Sequence, residues 1–381
     1  MTRNPTVVFY VSGHGFGHAS RQIEIINALT AICPDVAVII RTSAPRWLFD
    51  RGANTPVTFA AGEPDTGVVQ IDSLQVDPLA SISLAWEFHQ TLEARAKRES
   101  QLLDHYDADL VVGDIPPLAF ASAALAKIPA VAIGNFTWDW IYQRYQNQLS
   151  LPPQLLPTIR KAYASADVAW QLPMAGGFEA FPHIIEAPLV ARHARRHPTD
   201  TRKAVGLPLD RPLILVSFGR YGLSAVDWDM VTQTGDFGVV LTRDPVDPGL
   251  TMPEPECAHR LYTIDVPALG ARGFGYEDLI AAADMVLSKP GYGIIAECAA
   301  NDTALIYTSR GDFAEYDILV ESMPKLLRCT YLNQSDLFAG KWTEAAHRVL
   351  AQSPVPPPRT DGAYVIARGL ARQLESGLGA H

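Results

Sequence analysis

The chain has 381 residues, with 31 Lys and Arg against 41 Asp and Glu, for a formal net charge of −10. Hydrophobic residues make up 48% and charged residues 19%, a globular balance that excludes disordered, collagen-like and coiled-coil chains. At ~100–200 residues per domain the length favours two domains, and the acidic balance excludes non-specific nucleic-acid binding, so any anion must be met by backbone donors or a few placed cations.

Met1–Pro5 runs straight into a strand-like stretch, Thr6–Ser12, with no leader pattern. A helix is expected over 19–32, where Ile25, Ile26, Leu29 and Ile32 recur at helical spacing. Strands follow at Val36–Ile40 and Leu110–Gly113, then a small-residue helix at Leu118–Ala126 and a strand at Ala130–Ile133. The apolar run Ile115–Gly134 is long enough to span a bilayer, but Pro116, Pro117, Pro129 and Lys127 interrupt it. No transmembrane segment is predicted, and peripheral contact with a membrane surface stays open. The alternation lapses over 188–212, where Arg192, Arg195, Arg196, Arg202 and Lys203 crowd together; this reads as a solvated linker rather than a binding patch. It then resumes with strands at Leu213–Ser217, Gly238–Leu241, Met285–Leu287 and Ala304–Tyr307, a helix over 293–300 and a last helix over 363–374 after the run Pro354–Pro358. Two doubly wound α/β halves follow from this order. The cysteines (Cys33, Cys257, Cys298, Cys329) fit neither a zinc site nor a disulfide scaffold, and suit a reducing cytoplasm.

Three glycine-bearing loops sit where strands give way to helices. Ser12-Gly13-His14-Gly15-Phe16-Gly17-His18 is spaced G-x-G-x-G-H, not as a dinucleotide fingerprint. Gly15 and Gly17 allow close approach of a ligand to the main chain, and the helix start offers free N–H groups. His18 can act as a general base if a partner fixes its tautomer; the other reading is a histidine that caps the helix. Asp114, at the end of a later strand on the same sheet edge, could reach His18, or could simply form the turn before Pro116. Asn135, Phe136, Trp138 and Tyr142 form an aromatic–polar cluster suited to a sugar face or to ordinary core.

In the second half, Ser217-Phe218-Gly219-Arg220 and Ser288-Lys289-Pro290-Gly291-Tyr292-Gly293 are anion-binding candidates, and neither is a P-loop. Glu297 could accept bonds from ribose hydroxyls or offset the helix dipole. Asp312 and Glu315 could meet sugar hydroxyls, or form a helix cap.

The order of these loops resembles the GT-B glycosyltransferases. Gly17-His18 looks like the Gly-His of the lipid-II-forming N-acetylglucosaminyltransferase and of plant family-1 transferases, and Asp114 matches in position the Asp that orients the base in the latter. A closer resemblance is to the glycosyltransferase-like N-terminal region of plant L-arabinokinases and its bacterial stand-alone relatives. It rests on residues 13–19, 135–139, Pro188-Leu189-Val190, Gly291-Tyr292-Gly293 and Arg310-Gly311-Asp312-Phe313, and covers most of the chain. Ser217-Phe218-Gly219 stands where the bacterial transferase has Gly-Gly-Ser. The sugar kinase domain of arabinokinases has no counterpart here.

The resemblance implies a GT-B fold of two facing Rossmann-like doubly wound domains. The expected divisions are residues 1–190, with the helix 360–381 packed back on them, and residues 191–359. It implies a cytoplasmic, metal-independent, inverting glycosyltransferase with no cofactor beyond a nucleotide-sugar co-substrate, expected to be UDP-linked, and an unidentified acceptor. His18 would be the base and Asp114 its orienter. Gly15, Gly17, Ser217, Gly219, Arg220, Lys289, Gly291, Tyr292, Gly293 and Glu297 would hold the donor and its phosphates, and Asp312 and Glu315 the donor sugar. His14, Phe16, Asn135 and Trp138 would line the acceptor side. A nucleotide-sugar epimerase or hydrolase, or a non-catalytic sugar-nucleotide-binding module, would use the same donor residues.

Overall fold

A computed structural model describes residues 3–219, 223, 226–244 and 260–378. The chain divides into two compact units: Met1–Val69, Asp77–Val190 and Arg359–His381 form the first, and Gln70–Val76 with Ala191–Pro358 the second.

In chain order the strands are β1 (Thr6–Val11), β2 (Ala37–Thr42), β3 (Thr58–Ala61), a short pair β4 (Val69–Gln70) and β5 (Val76–Asp77), β6 (Leu110–Asp114), β7 (Ala130–Phe136), β8 (Val168–Gly176) and β9 (Ile184–Glu186). β10 (Leu213–Val216), β11 (Gly238–Arg243), β12 (Leu261–Asp265), β13 (Met285–Ser288), β14 (Ala304–Tyr307) and β15 (Cys329–Tyr331) complete them. The first unit holds a seven-stranded parallel sheet in the order β3-β2-β1-β6-β7-β8-β9. The second holds a six-stranded parallel sheet, β12-β11-β10-β13-β14-β15. Each reverses direction beside its own first strand, the Rossmann order, so each has a switch point where ligands bind in such sheets: between β1 and β6, and between β10 and β13.

The central strands form because they are apolar without alternation. Every residue of β1, β6, β7, β10 and β13 is buried, as expected when helices cover both faces. The strands absent from the sequence reading, among them β3, β9, β12 and β15, lie toward the sheet margins, where solvent on one side admits polar residues and erases the apolar run. β8 was hidden by Pro173 within it.

The last helix, Gly362–Leu378, packs Ile366, Ala367, Leu370, Ala371 and Leu374 into the core of the first unit, alongside Ile25, Ile26 and Leu29. A Cβ at Gly362 would sit 2.2 Å from the Pro188 carbonyl oxygen, so glycine allows the chain to return beside 188–190. The second core gathers Val216, Phe218, Leu287, Ile306 and Trp342, and Leu74 from the early segment 70–76 packs with them. Ser73 Oγ donates to the Phe218 carbonyl at 3.1 Å, tying that segment to the loop after β10.

The run 188–212 is solvated in part but is not irregular. It forms a helix, Pro198–Val205, Arg202 donates to the Ala282 carbonyl at 2.7 Å and to Asp284 at 2.7 Å, and the Arg195 and Arg196 backbone amides donate to Asp278, while residues Arg195, Arg196 and Lys203 are exposed. Carboxylates that also bind backbone N–H groups, as Asp284 does with Leu213, fix guanidinium groups that the sequence alone leaves looking solvated.

Candidate active site

The helix after the first loop spans Gly17–Ile32, and no side chain caps its first N–H groups. Gly15 has φ +74°, a left-handed conformation that favours glycine, and a Cβ at Gly17 would meet no atom within 4 Å. Packing within the protein therefore does not require glycine at 17. Gly13 differs: a Cβ there would strike Ser43.

β1 and β6 pair with Val11 opposite Asp114, which brings His18 and Asp114 together at the switch point. His18 Nδ1 lies 2.9 Å from Asp114 Oδ1, with His18 7% exposed and Asp114 fully buried. The same carboxylate accepts from Arg21 Nη2 (2.6 Å) on Oδ1, and from Arg21 Nε (2.9 Å) and Gln22 Nε2 (2.9 Å) on Oδ2. Burial would raise the Asp114 carboxyl, but Arg21 and His18 outweigh it and hold it down at about 2. An ionised Asp114 accepts from Nδ1–H, leaving the lone pair on Nε2, which is the arrangement a general base needs. Arg21 and Gln22 were not singled out from the sequence, although they stand three and four positions after His18, on the same helix face.

Asp65, also missed, is a second buried carboxylate beside this group. It accepts from Ser12 Oγ at 3.0 Å and from Trp138 Nε1 at 2.8 Å. Burial pushes its carboxyl up to about 6, against the opposing pull of His18 and of both hydrogen bonds. It lies in an irregular stretch, 62–68, with no local pattern to mark it.

The expected acceptor-side residues divide. His14 and Phe16 are half-buried on the first loop, with His14 edge-on to Trp138 and Phe16 edge-on to Trp47. Trp138 is only 1% exposed, stacked on Tyr142 and bonded to Asp65. Asn135 is likewise occupied, accepting from Arg21 Nη1 and donating to the Pro173 carbonyl at 2.7 Å. The aromatic cluster thus forms the wall behind His18, whose ring lies 5.6 Å from Phe136 and 6.3 Å from Trp138.

The second unit repeats the geometry with opposite charge. After β10, Ser217 Oγ accepts from the Tyr276 hydroxyl at 2.8 Å, which leaves its own proton to donate, and Gly219 has φ +70°. Arg220 lies outside the described residues. After β13, Lys289 is half-buried and makes no hydrogen bond among the described residues. Burial and the neighbouring Arg310 push its ammonium down to about 7, opposed by Glu315 and Asp72. Gly291 has an extended φ of −163° and no atom within 4 Å of a Cβ, so neither backbone nor packing calls for glycine there. Tyr292 and Gly293 open the helix Tyr292–Ala300, whose first N–H groups no side chain caps. Glu297, on that helix, is held by Arg192 Nε at 2.6 Å. Asp312 is exposed, whereas Glu315 pairs with the buried Arg310 at 3.4 Å, and the Arg310 guanidinium lies 3.3 Å over the Phe313 ring. Among the described residues no group of three His, Cys, Asp or Glu side chains is placed to hold a metal ion, and no helix is long and apolar enough to cross a membrane.

The fold is GT-B. The glycosyltransferase SnogD from Streptomyces nogalater matches with a TM-score of 0.60 at 14% identity, over 99% of this chain and 97% of that one. UGT2 of Phytolacca americana, solved with UDP-2-fluoro-glucose and pterostilbene, matches with a TM-score of 0.60 at 12% identity, over 98% of this chain and 94% of that one. In sequence the chain is similar to L-arabinokinase from Arabidopsis thaliana, 29% identical over 379 residues, which are 98% of this chain and 34% of that protein. The chain thus spans about a third of the curated relative it matches. No family model matches it.

Proposed function

We propose that the chain is a glycosyltransferase that moves a sugar from a nucleotide-sugar donor, UDP-linked, to an acceptor hydroxyl with inversion at the anomeric carbon. The observation that carries this reading is the His18–Asp114 pair at the first switch point, with Nδ1 on the carboxylate and Nε2 left for substrate. The acceptor proton passes to Nε2 as the acceptor oxygen bonds to the anomeric carbon. The bond from that carbon to the diphosphate oxygen breaks, and the diphosphate leaves with the electron pair.

Lys289, the Ser217 hydroxyl and the uncapped N–H groups at the start of Tyr292–Ala300 suit the diphosphate, so that preorganised donors meet the leaving charge without a metal. The glycine at 291, which packing does not require, is explained by close approach of a phosphate to the main chain. Glu297, steadied by Arg192, presents a fixed carboxylate to ribose hydroxyls, and Asp312 and Glu315 serve the donor sugar. The kinase activity in the name of the Arabidopsis relative is not carried over, since the region matched here has the GT-B fold and is 34% of that protein.

Calorimetric titration with a panel of UDP-, GDP- and TDP-sugars tests the donor assignment, and absence of binding to all of them overturns it. Product formed from the donor without any acceptor would replace transfer by hydrolysis or epimerisation.

A further inference from the structure

The two carboxylates beside His18 are not equivalent. Asp114 is matched by a bidentate guanidinium and a glutamine amide in addition to the imidazole. Asp65 receives only neutral donors, Ser12 Oγ and Trp138 Nε1, and among the described residues it forms no ion pair with Lys or Arg. Ser12 joins the two, its amide donating to the Asp114 carbonyl at 3.0 Å while its hydroxyl holds Asp65. Trp138 joins Asp65 to the base from the other side, its ring 6.3 Å from the imidazole.

A base that takes up a proton in a buried site needs an opposite charge nearby, and a carboxylate already neutralised by arginine offers little of it. We propose that Asp65 is the counter-charge to His18: a positioning residue that steadies the imidazolium formed when Nε2 takes the acceptor proton, while Asp114 holds the ring's orientation. This rests on the reading of His18 as the base. The other charged or titratable groups around Asp65 are Asp114 on β6, Arg21 on the helix Gly17–Ile32, His14 on the first loop, Tyr142 on the helix Trp138–Arg144, and Tyr163. Burial pushes both tyrosine phenols upward, so they stay neutral and leave the two carboxylates, Arg21 and the histidines to set the balance.

The test is an NMR titration that needs no donor. In the wild-type protein the Trp138 indole proton reports ionisation of Asp65, and the same step should be visible in the His18 ring signal, identified by its loss in His18→Gln. In Asp65→Asn the step that belongs to Asp65 should vanish from the His18 ring signal. In Trp138→Phe, which removes the indole bond but keeps the carboxyl group, that step should persist, moved to higher pH. A His18 signal blind to the Asp65 step, or a step that survives in Asp65→Asn, overturns the proposal and leaves Asp65 a packing residue. Failure to bind any nucleotide sugar would instead overturn the functional reading, which this titration does not use.

Discussion

The two switch points share a topology and differ in charge. At the edge between β1 and β6 the chain gathers carboxylates, Asp114 and Asp65, around one histidine. At the edge between β10 and β13 it gathers cations, Lys289 and Arg310, beside a helix start without a side-chain cap. One sheet architecture repeated in one chain therefore presents two electrostatic settings. In the proposed function the first, with its buried carboxylates, handles a proton, and the second, with half-buried Lys289 and buried Arg310, holds an anion. The net charge of −10 does not conflict with the second, because the donors that matter are local.

The largest effect should come from breaking the first edge at its cation. Arg21→Met leaves Asp114 buried without its guanidinium, and urea unfolding should report a loss of about 3–5 kcal/mol. His18→Ala should lower turnover by roughly 10²–10⁴-fold while calorimetric UDP affinity stays unchanged; a variant as active as wild type removes the base assignment.

The third experiment uses the opposite signs of the two carboxylates. Asp65 holds its proton more tightly in the folded than in the unfolded chain. Its contribution to stability is therefore fully present below about pH 4 and lost as pH rises through about 6, a change of roughly 3 kcal/mol. Asp114 behaves in reverse, its contribution present above about pH 4 and lost only as pH falls through about 2. Asp65→Asn should flatten the unfolding free energy between pH 4 and 7, and a slope unchanged from wild type would remove Asp65 as its source.

The smallest effect belongs to the second edge. Lys289→Met should weaken UDP binding by about 10- to 100-fold, in line with the loss of a charged hydrogen bond. Because the free lysine titrates at about 7, binding near neutral pH should take up a proton, seen as buffer-dependent calorimetric heat, and affinity should fall as pH rises past 7. Binding without proton uptake would place the diphosphate elsewhere.

The parts legible in the sequence are those with a local pattern. Continuous apolar strands followed by glycine loops marked both switch points, and Asp114 at the end of its strand pointed to His18 because both follow strands that pair at a sheet's reversal. Arg21 and Gln22 were legible in principle from helical spacing. Asp65 was not, since it reaches the site through an irregular stretch and is fixed by an indole more than seventy positions later. The burial of Trp138 was not legible either: an aromatic beside polar residues suggests a ligand face, but its one polar atom is satisfied by a buried carboxylate, which lets the ring be buried. Arg192 and Arg202 were likewise unreadable without the distant carboxylates, Glu297 and Asp284, that hold them.

Leu74 bears on how the protein is made. It belongs to the core of the second unit, yet it is translated more than a hundred residues before Ala191, where the main body of that unit begins. During synthesis the segment 70–76 must wait, unburied, until the later strands emerge, a long-range closure of the kind that slows folding. A gene fragment beginning at Ala191 would encode a second unit lacking the Leu74 side chain, and the cost of a missing core leucine is about 2–5 kcal/mol. The two units are thus distinct as contact clusters yet interleaved along the chain.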